Sequence, residues 1–299
     1  MTKALPFPFL VLILGLLLMD CSGKSAEIDL VYPDGNHKAL IMSYDDGLAD
    51  DIALAQLFDH YGIIGTFHLN SGLLDTRAIW NEGKPNEFLG TYLSKDTLVH
   101  VFKNHEIAVH GTYHKALIGL SDEEILEEIN VDIENLSILS DRKISSMAYA
   151  FGSTNDHVAE VIGTTPLTNA RTVKSSHNFD LPQDYYLWNP TCHDSEALEY
   201  LEAYLSLNSP SLSLFYVWGH SWELRDTLRN QNILKFCHEI GDRDDIWSSG
   251  AGDFADYHAS LKALELSTKQ MTNPVGNGIV YYREKGQLKS LHPGQSLLR

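Results

Sequence analysis

The chain has 299 residues, 40 acidic and 22 basic, for a formal net charge of −18 at neutral pH. A surface of that sign repels phosphate backbones and anionic headgroups, which argues against nucleic acid as a partner and for solvated acidic helix faces. The length exceeds an average domain but suits a barrel built as one unit, and three cysteines at unrelated spacings exclude a zinc knuckle or a redox pair.

Lys3 precedes an uncharged, leucine-rich run from Ala4 to Met19. The run falls short of the roughly 20 residues a helix needs to cross a bilayer, so it predicts an export signal within residues 1–25. Leu17-Leu18-Met19-Asp20-Cys21 resembles a bacterial lipobox, with Asp20 where a small residue is usual. Two routes stay open: lipidation of Cys21, giving a membrane anchor, or ordinary cleavage near Gly23 or Ala26. Both predict an exported protein, in the periplasm, the cell envelope or the medium. Cys192 and Cys237 are left either to pair or to remain two buried thiols.

Residues 26–299 read as one catalytic domain of the α/β class. Ala39 to Met42 is short and apolar without clean alternation, as expected of a buried strand in a parallel sheet or barrel. Asp45 and Asp46 follow at its C-terminal mouth, where such folds hold their ligands, and Gly47 permits a sharp turn. The aspartates either cap a helix predicted over Leu48–His60 or carry chemistry. Gly62–Leu69 predicts the next strand, with His68 in the core or lining the barrel. Asn70–Asp96, which includes Trp80, reads as a long surface excursion suited to shaping a substrate site.

A second apolar run, Glu106–Val109, ends in His110 and His114. A carboxylate with two imidazoles is a common ligand set for catalytic zinc or a similar divalent ion, which favours chemistry over capping. A peptidase-type zinc helix is disfavoured, because Gly111 stands where such helices need glutamate.

Ser-Tyr-Asp-Asp-Gly at 43–47 followed by His-Gly-Thr-Tyr-His at 110–114 resembles the polysaccharide deacetylase (NodB-homology) family, carbohydrate esterase family four. The resemblance implies a distorted (β/α) barrel of seven strands and an acetylated carbohydrate as substrate. It also implies Asp45 as catalytic base and Asp46, His110 and His114 as ligands of a divalent metal, Zn2+ with Co2+ or Ni2+ as alternatives.

Further along, Ser121-Asp122-Glu123-Glu124 is a capping box that opens a helix to about Leu139, its acidic face expected in solvent. Ser146–Gly152 falls at the family's third motif, close to its Ala-Tyr-Pro-Phe-Gly form with Ala150 in place of proline. The resemblance makes the main-chain N–H of Phe151 the oxyanion donor. It also leaves the base without the arginine common in that motif. Arg171, at the end of a predicted strand, is the candidate replacement in the substrate site, against the alternative of an ordinary structural ion pair.

Trp188 is a weak counterpart of the fourth-motif aromatic, and His193 either lines the cleft or, as the favoured reading, sits on a loop. Leu212–Glu223 then carries Trp218 and His220 to the end of an apolar strand, the place of the fifth motif. The resemblance implies His220 as general acid and Trp218 as part of the wall that receives the acetyl methyl. Glu223 either orients His220 or ends the strand in solvent. A helix over Asp256–Leu266 and a strand over Gly278–Tyr282 are expected to complete the domain.

The expectation is therefore metal-dependent removal of N- or O-acetyl groups from a carbohydrate. Its rivals are a small-molecule amidase and a non-catalytic carbohydrate-binding protein on the same scaffold. The second predicts a missing ligand, acid or base, and none is missing.

Overall fold

The computed structural model describes residues 28–268 and 270–298, so the leader and Cys21 lie outside the described residues. Eight strands form the central sheet: β1 (Lys38–Asp45), β2 (Gly65–Leu69), β3 (Glu106–Val109), β4 (Ser146–Ala148), β5 (Asn169–Arg171), β6 (Cys192–His193), β7 (Ser213–His220) and β8 (Ile246–Ser248). Their spatial order is β5-β4-β3-β2-β1-β7-β6, every pairing parallel. β8 runs beside Lys38–Leu40, where β2 has not yet reached β1.

The seven-stranded path curls into a half-barrel, and the segment 185–193 touches both of its ends. Trp188 accepts from Thr172 N–H (2.9 Å) and donates to Ala170 O (3.1 Å) beside β5, while Thr191 N–H donates to Tyr216 O of β7 (2.8 Å). Pro190 lies in this segment and has no N–H for a ladder, so irregular chain rather than a full strand bridges the gap.

Side chains alternate across the sheet, as the strand repeat requires. Leu40, Met42 and Tyr44 enter an outer core with Phe67, Val109, Phe215 and Val217. That core is roofed by α1 (Asp51–His60), α3 (Asp122–Ser140), α4 (Asp156–Ile162), α5 (Ala197–Leu205) and α6 (Thr227–Ile240), with the short helix α2 (Lys95–Val101) beside them. Ala39 and Ile41 point the other way and pack with Tyr216, Trp188 and Phe254. Trp188 therefore belongs to the core and not to a cleft.

Phe254 comes from α7 (Ala251–Lys262), which closes the N-terminal end of the barrel; burying that ring stabilises the closure by about 1.5–3 kcal/mol. α7 starts earlier than the sequence suggested because its small residues are required by contact. A Cβ on Gly252 would lie 2.6 Å from Glu106 Oε1 and 2.4 Å from Ser145 Oγ. Glu106 is satisfied there by Thr66 Oγ1 (2.8 Å), Ser146 Oγ (2.6 Å) and Gly252 N–H (3.1 Å).

The C-terminal residues form two small sheets, one of them with the N-terminal strand Ile28–Val31. That strand, Val280–Glu284 and Gln287–Leu291 make one, and Glu265–Leu266, Gln270–Thr272 and Ser296–Leu298 the other. Leu264, Met271, Val280, Tyr282 and Leu291 form their common core. Within the excursion, Arg77–Trp80 and Phe88–Thr91 pair as an antiparallel hairpin. Cys192 and Cys237 are buried free thiols. Among the described residues, no helix is long and apolar enough to cross a membrane.

Candidate active site

Asp45 and Asp46 end β1 and leave it in opposite senses. Asp45 completes the strand facing the barrel interior, while Asp46 adopts φ 82° and Gly47 φ 68°. Neither caps α1, whose N-cap is Asp50 and has no side-chain cap. A Cβ at Gly47 would stand 3.0 Å from Leu69 Cδ2, so the turn that throws Asp46 toward β3 needs glycine there.

Asp46, His110 and His114 converge. Asp46 Oδ1 lies 3.6 Å from His110 Nε2 and 3.4 Å from His114 Nε2. Bonds of 2.0–2.1 Å at tetrahedral angles put ligand atoms about 3.3 Å apart, so these separations suit one divalent cation. The tautomer fits as well. His110 Nδ1–H donates to Ala148 O (2.8 Å), which leaves Nε2 with a lone pair. Burial lowers the His110 pKa to about 4 despite the nearby Asp45, so the ring is neutral, as a ligand must be. Trp222 Nε1–H donates to the other oxygen of Asp46 (2.9 Å).

The His110–His114 loop is held from behind by α3. Asp132 accepts from Ser71 N–H (2.8 Å) and His110 N–H (3.2 Å); Glu128 Oε1 accepts from Tyr113 N–H (2.7 Å) and Lys115 N–H (3.3 Å). Glu128 and Asp132 are buried, which corrects the reading of the acidic face of this helix as solvent. Burial raises Asp132 to about 7, against the hydrogen bonds that favour its charge. The capping box of Ser121 and Glu124 forms as expected.

Arg171 reaches Asp45 from β5. Its Nη2 donates to both carboxylate oxygens (2.5 Å), Nε donates to Ser43 Oγ (3.1 Å), and Nη1 donates to Thr172 O (3.0 Å). The guanidinium stacks 4.7 Å from the ring of Trp218. Burial disfavours ionised Asp45, but Arg171, helped by His110, His68 and His220, outweighs it and holds the carboxyl well below the usual range. Arg171 has no accessible surface and so bears on Asp45 and not on a sugar. His68 lines the barrel as expected, bonded to Ser43 Oγ (2.8 Å).

On the opposite flank, Glu223 Oε2 meets His220 Nδ1 at 3.3 Å and His193 Nε2 at 3.0 Å, while Arg229 meets Oε1 at 2.8 Å. Glu223 is thus an orienting group. His193 lies on β6, against Trp218 (centroids 4.8 Å apart), and not on a free loop. Burial pulls the His220 pKa down, yet Glu223 and the aspartates raise it to about 9, so the ring carries a proton at neutral pH. Trp218 stands between His220 and Arg171.

Phe151 sits in a tight turn with φ 57°, its ring exposed and 4.4 Å from that of His114. Asp46, His114 (φ 57°) and Phe151 are all non-glycine residues in the left-handed region. That conformation costs free energy and is retained where the surroundings impose it, commonly at functional sites. Trp222, Glu128, Asp132 and His193 were not assigned to the site from sequence. Two of them left a signal: Trp222 by following His220 so closely, and His193 as a histidine that could line the cleft.

Residues 33–170 match the family model for polysaccharide deacetylase. No curated protein matches the chain. Among solved structures, a Mycobacterium smegmatis protein named as a polysaccharide deacetylase shares the fold at 14% identity over 78% of this chain and 94% of its own, TM-score 0.54. A polysaccharide deacetylase from Bacillus cereus aligns at 17% identity over 45% of this chain, TM-score 0.38, and the chain spans 40% of its length. A CE4 family pseudoenzyme from Bacillus anthracis aligns at 12% identity over 75% of this chain and 66% of its own, TM-score 0.46. With its two aspartates and paired histidines set at the mouth of a curled parallel sheet, the region 33–170 has both the family match and the fold of the polysaccharide deacetylases.

Proposed function

We propose that this chain is a metal-dependent hydrolase that removes acetyl groups from an N- or O-acetylated carbohydrate. The observation that carries the reading is the convergence of Asp46, His110 and His114 between Asp45 on one flank and His220 on the other. Residues 26–299 act as one catalytic unit, outside the cytoplasm if the leader pattern is used.

Asp46, His110 and His114 would hold the cation, most suitably Zn2+. When bound, it polarises the acyl carbonyl and acidifies water. Asp45, kept ionised by Arg171, accepts the proton of the attacking water. The Phe151 N–H donates to the oxygen that gains charge. His220 gives its Nε2 proton to the departing sugar nitrogen or oxygen, with Nδ1 held by Glu223. Acid and base thus start in the protonation states their tasks require.

The test is acetate release from acetylated chitin, peptidoglycan and xylan fragments by zinc-loaded protein, with Asp45→Asn alongside. The variant should lose at least about 100-fold in kcat. Equal release by the variant would remove Asp45 from the role of base.

A further inference from the structure

The hairpin at 77–91 lies over the first metal-binding motif, and its contacts run toward one atom. Trp222 donates its indole N–H to Asp46 Oδ2 at 2.9 Å. The indole is walled by two rings from the hairpin, Trp80 at 5.4 Å and 70° and Phe88 at 5.3 Å and 60°. These two stack on each other at 4.3 Å and 18°.

Arg225 secures the arrangement. Its guanidinium covers Phe88 at 4.6 Å, grips Asp50 through two 2.7 Å bonds and donates to Leu89 O at 2.9 Å. The main chain is fastened at the same place: Leu93 N–H donates to Gly47 O and Ala49 N–H to Thr91 O, each 2.9 Å. The hairpin is therefore tied to the residues that directly follow Asp46.

We propose that this hairpin is an outer support of the metal centre, acting through Trp222 as a positioning residue for Asp46. A carboxylate at the end of a strand can turn about its last torsion and present either oxygen or both. With Oδ2 occupied by the indole, Oδ1 alone is presented to His110 and His114. Partners that orient a ligand in this way commonly set metal affinity by 10–100-fold. The inference rests on the reading of Asp46 as a ligand given above.

The experiment measures zinc affinity of the full chain by competition with a chromophoric chelator, and melting of the metal-free protein. The proteins are wild type, Trp222→Phe, Phe88→Ala and Leu89→Ala. Trp222→Phe keeps an aromatic ring and removes the donor. It should weaken zinc binding by about 10-fold or more while the metal-free protein melts as wild type does. Phe88→Ala should weaken binding in the same direction, and Leu89→Ala, on the exposed side of the hairpin, should not.

Wild-type affinity in Trp222→Phe overturns the proposal, and reduces Trp222 to packing. Zinc bound tightly by a wild type that releases no acetate overturns the hydrolase reading and leaves this one standing. A wild type that retains no zinc overturns both.

Discussion

Asp45 is 2% exposed and gives both oxygens to a guanidinium with no accessible surface. Neither charge has water to fall back on, so removing one partner leaves the other buried and uncompensated, at a cost of about 3–5 kcal/mol. Arg171→Met should accordingly lower stability by that order, and Asp45→Asn with Arg171→Met should cost less than the two changes added together. The pH dependence follows from the sign of the shift. A carboxyl whose folded pKa is depressed contributes stability above its unfolded value near 3.9, lost as pH falls through the folded value. In Arg171→Met burial acts on Asp45 with its main opposing charge gone, so the acid limb of kcat/KM moves to higher pH. A limb that stays in place would show that Arg171 does not set the protonation state of Asp45.

Helix α3 is the element whose contribution differs most from its sequence pattern. Ser121 and Glu124 announce its start, because a capping box is a local arrangement written in adjacent residues. Glu128 and Asp132 look like any solvated acid in a Glu-rich helix. Only the tertiary fold brings the amides of Tyr113 and His110 within reach of them. Glu128→Ala leaves two main-chain donors unpaired behind the His110–His114 loop. It should lower the stability of the metal-free protein by about 1–3 kcal/mol and weaken zinc binding too, measured by urea unfolding and chelator competition. Strands β1, β3 and β7 were legible for the opposite reason: strands buried on both faces are apolar runs, and the polar residues that stop them mark the mouth. The hairpin at 77–91 was not legible, since its rings are matched to Trp222 across a long sequence separation. Arg171 was legible only as an arginine at a strand end, because its reach to Asp45 depends on how far the sheet curls.

For the whole molecule, the barrel brings imidazoles into a closed interior, and this makes the fold sensitive to acid at places remote from the proposed catalytic residues. His258 of α7 shares a hydrogen bond between its Nδ1 and the hydroxyl of Tyr185 (3.0 Å). Burial, reinforced by Lys262, lowers its pKa to about 4. The unfolded chain, with an ordinary histidine near 6.5, binds this proton more readily than the folded one. Its neutral form therefore contributes stability that is complete above about 6.5 and drains as pH falls toward 4, on the order of 3 kcal/mol in all. His68, lowered by burial to about 3, acts in the same direction and extends the loss further down. His258→Gln keeps a side-chain hydrogen-bonding partner for Tyr185, able to donate or accept, and removes the titration. Between pH 7 and pH 4.5, chelator-treated wild type should therefore lose more unfolding free energy than chelator-treated His258→Gln. Treating both proteins with chelator removes competition between protons and metal from the comparison. Parallel losses in the two proteins would mean that the docking of α7 is indifferent to the charge of its histidine, and that the acid sensitivity lies elsewhere in the barrel.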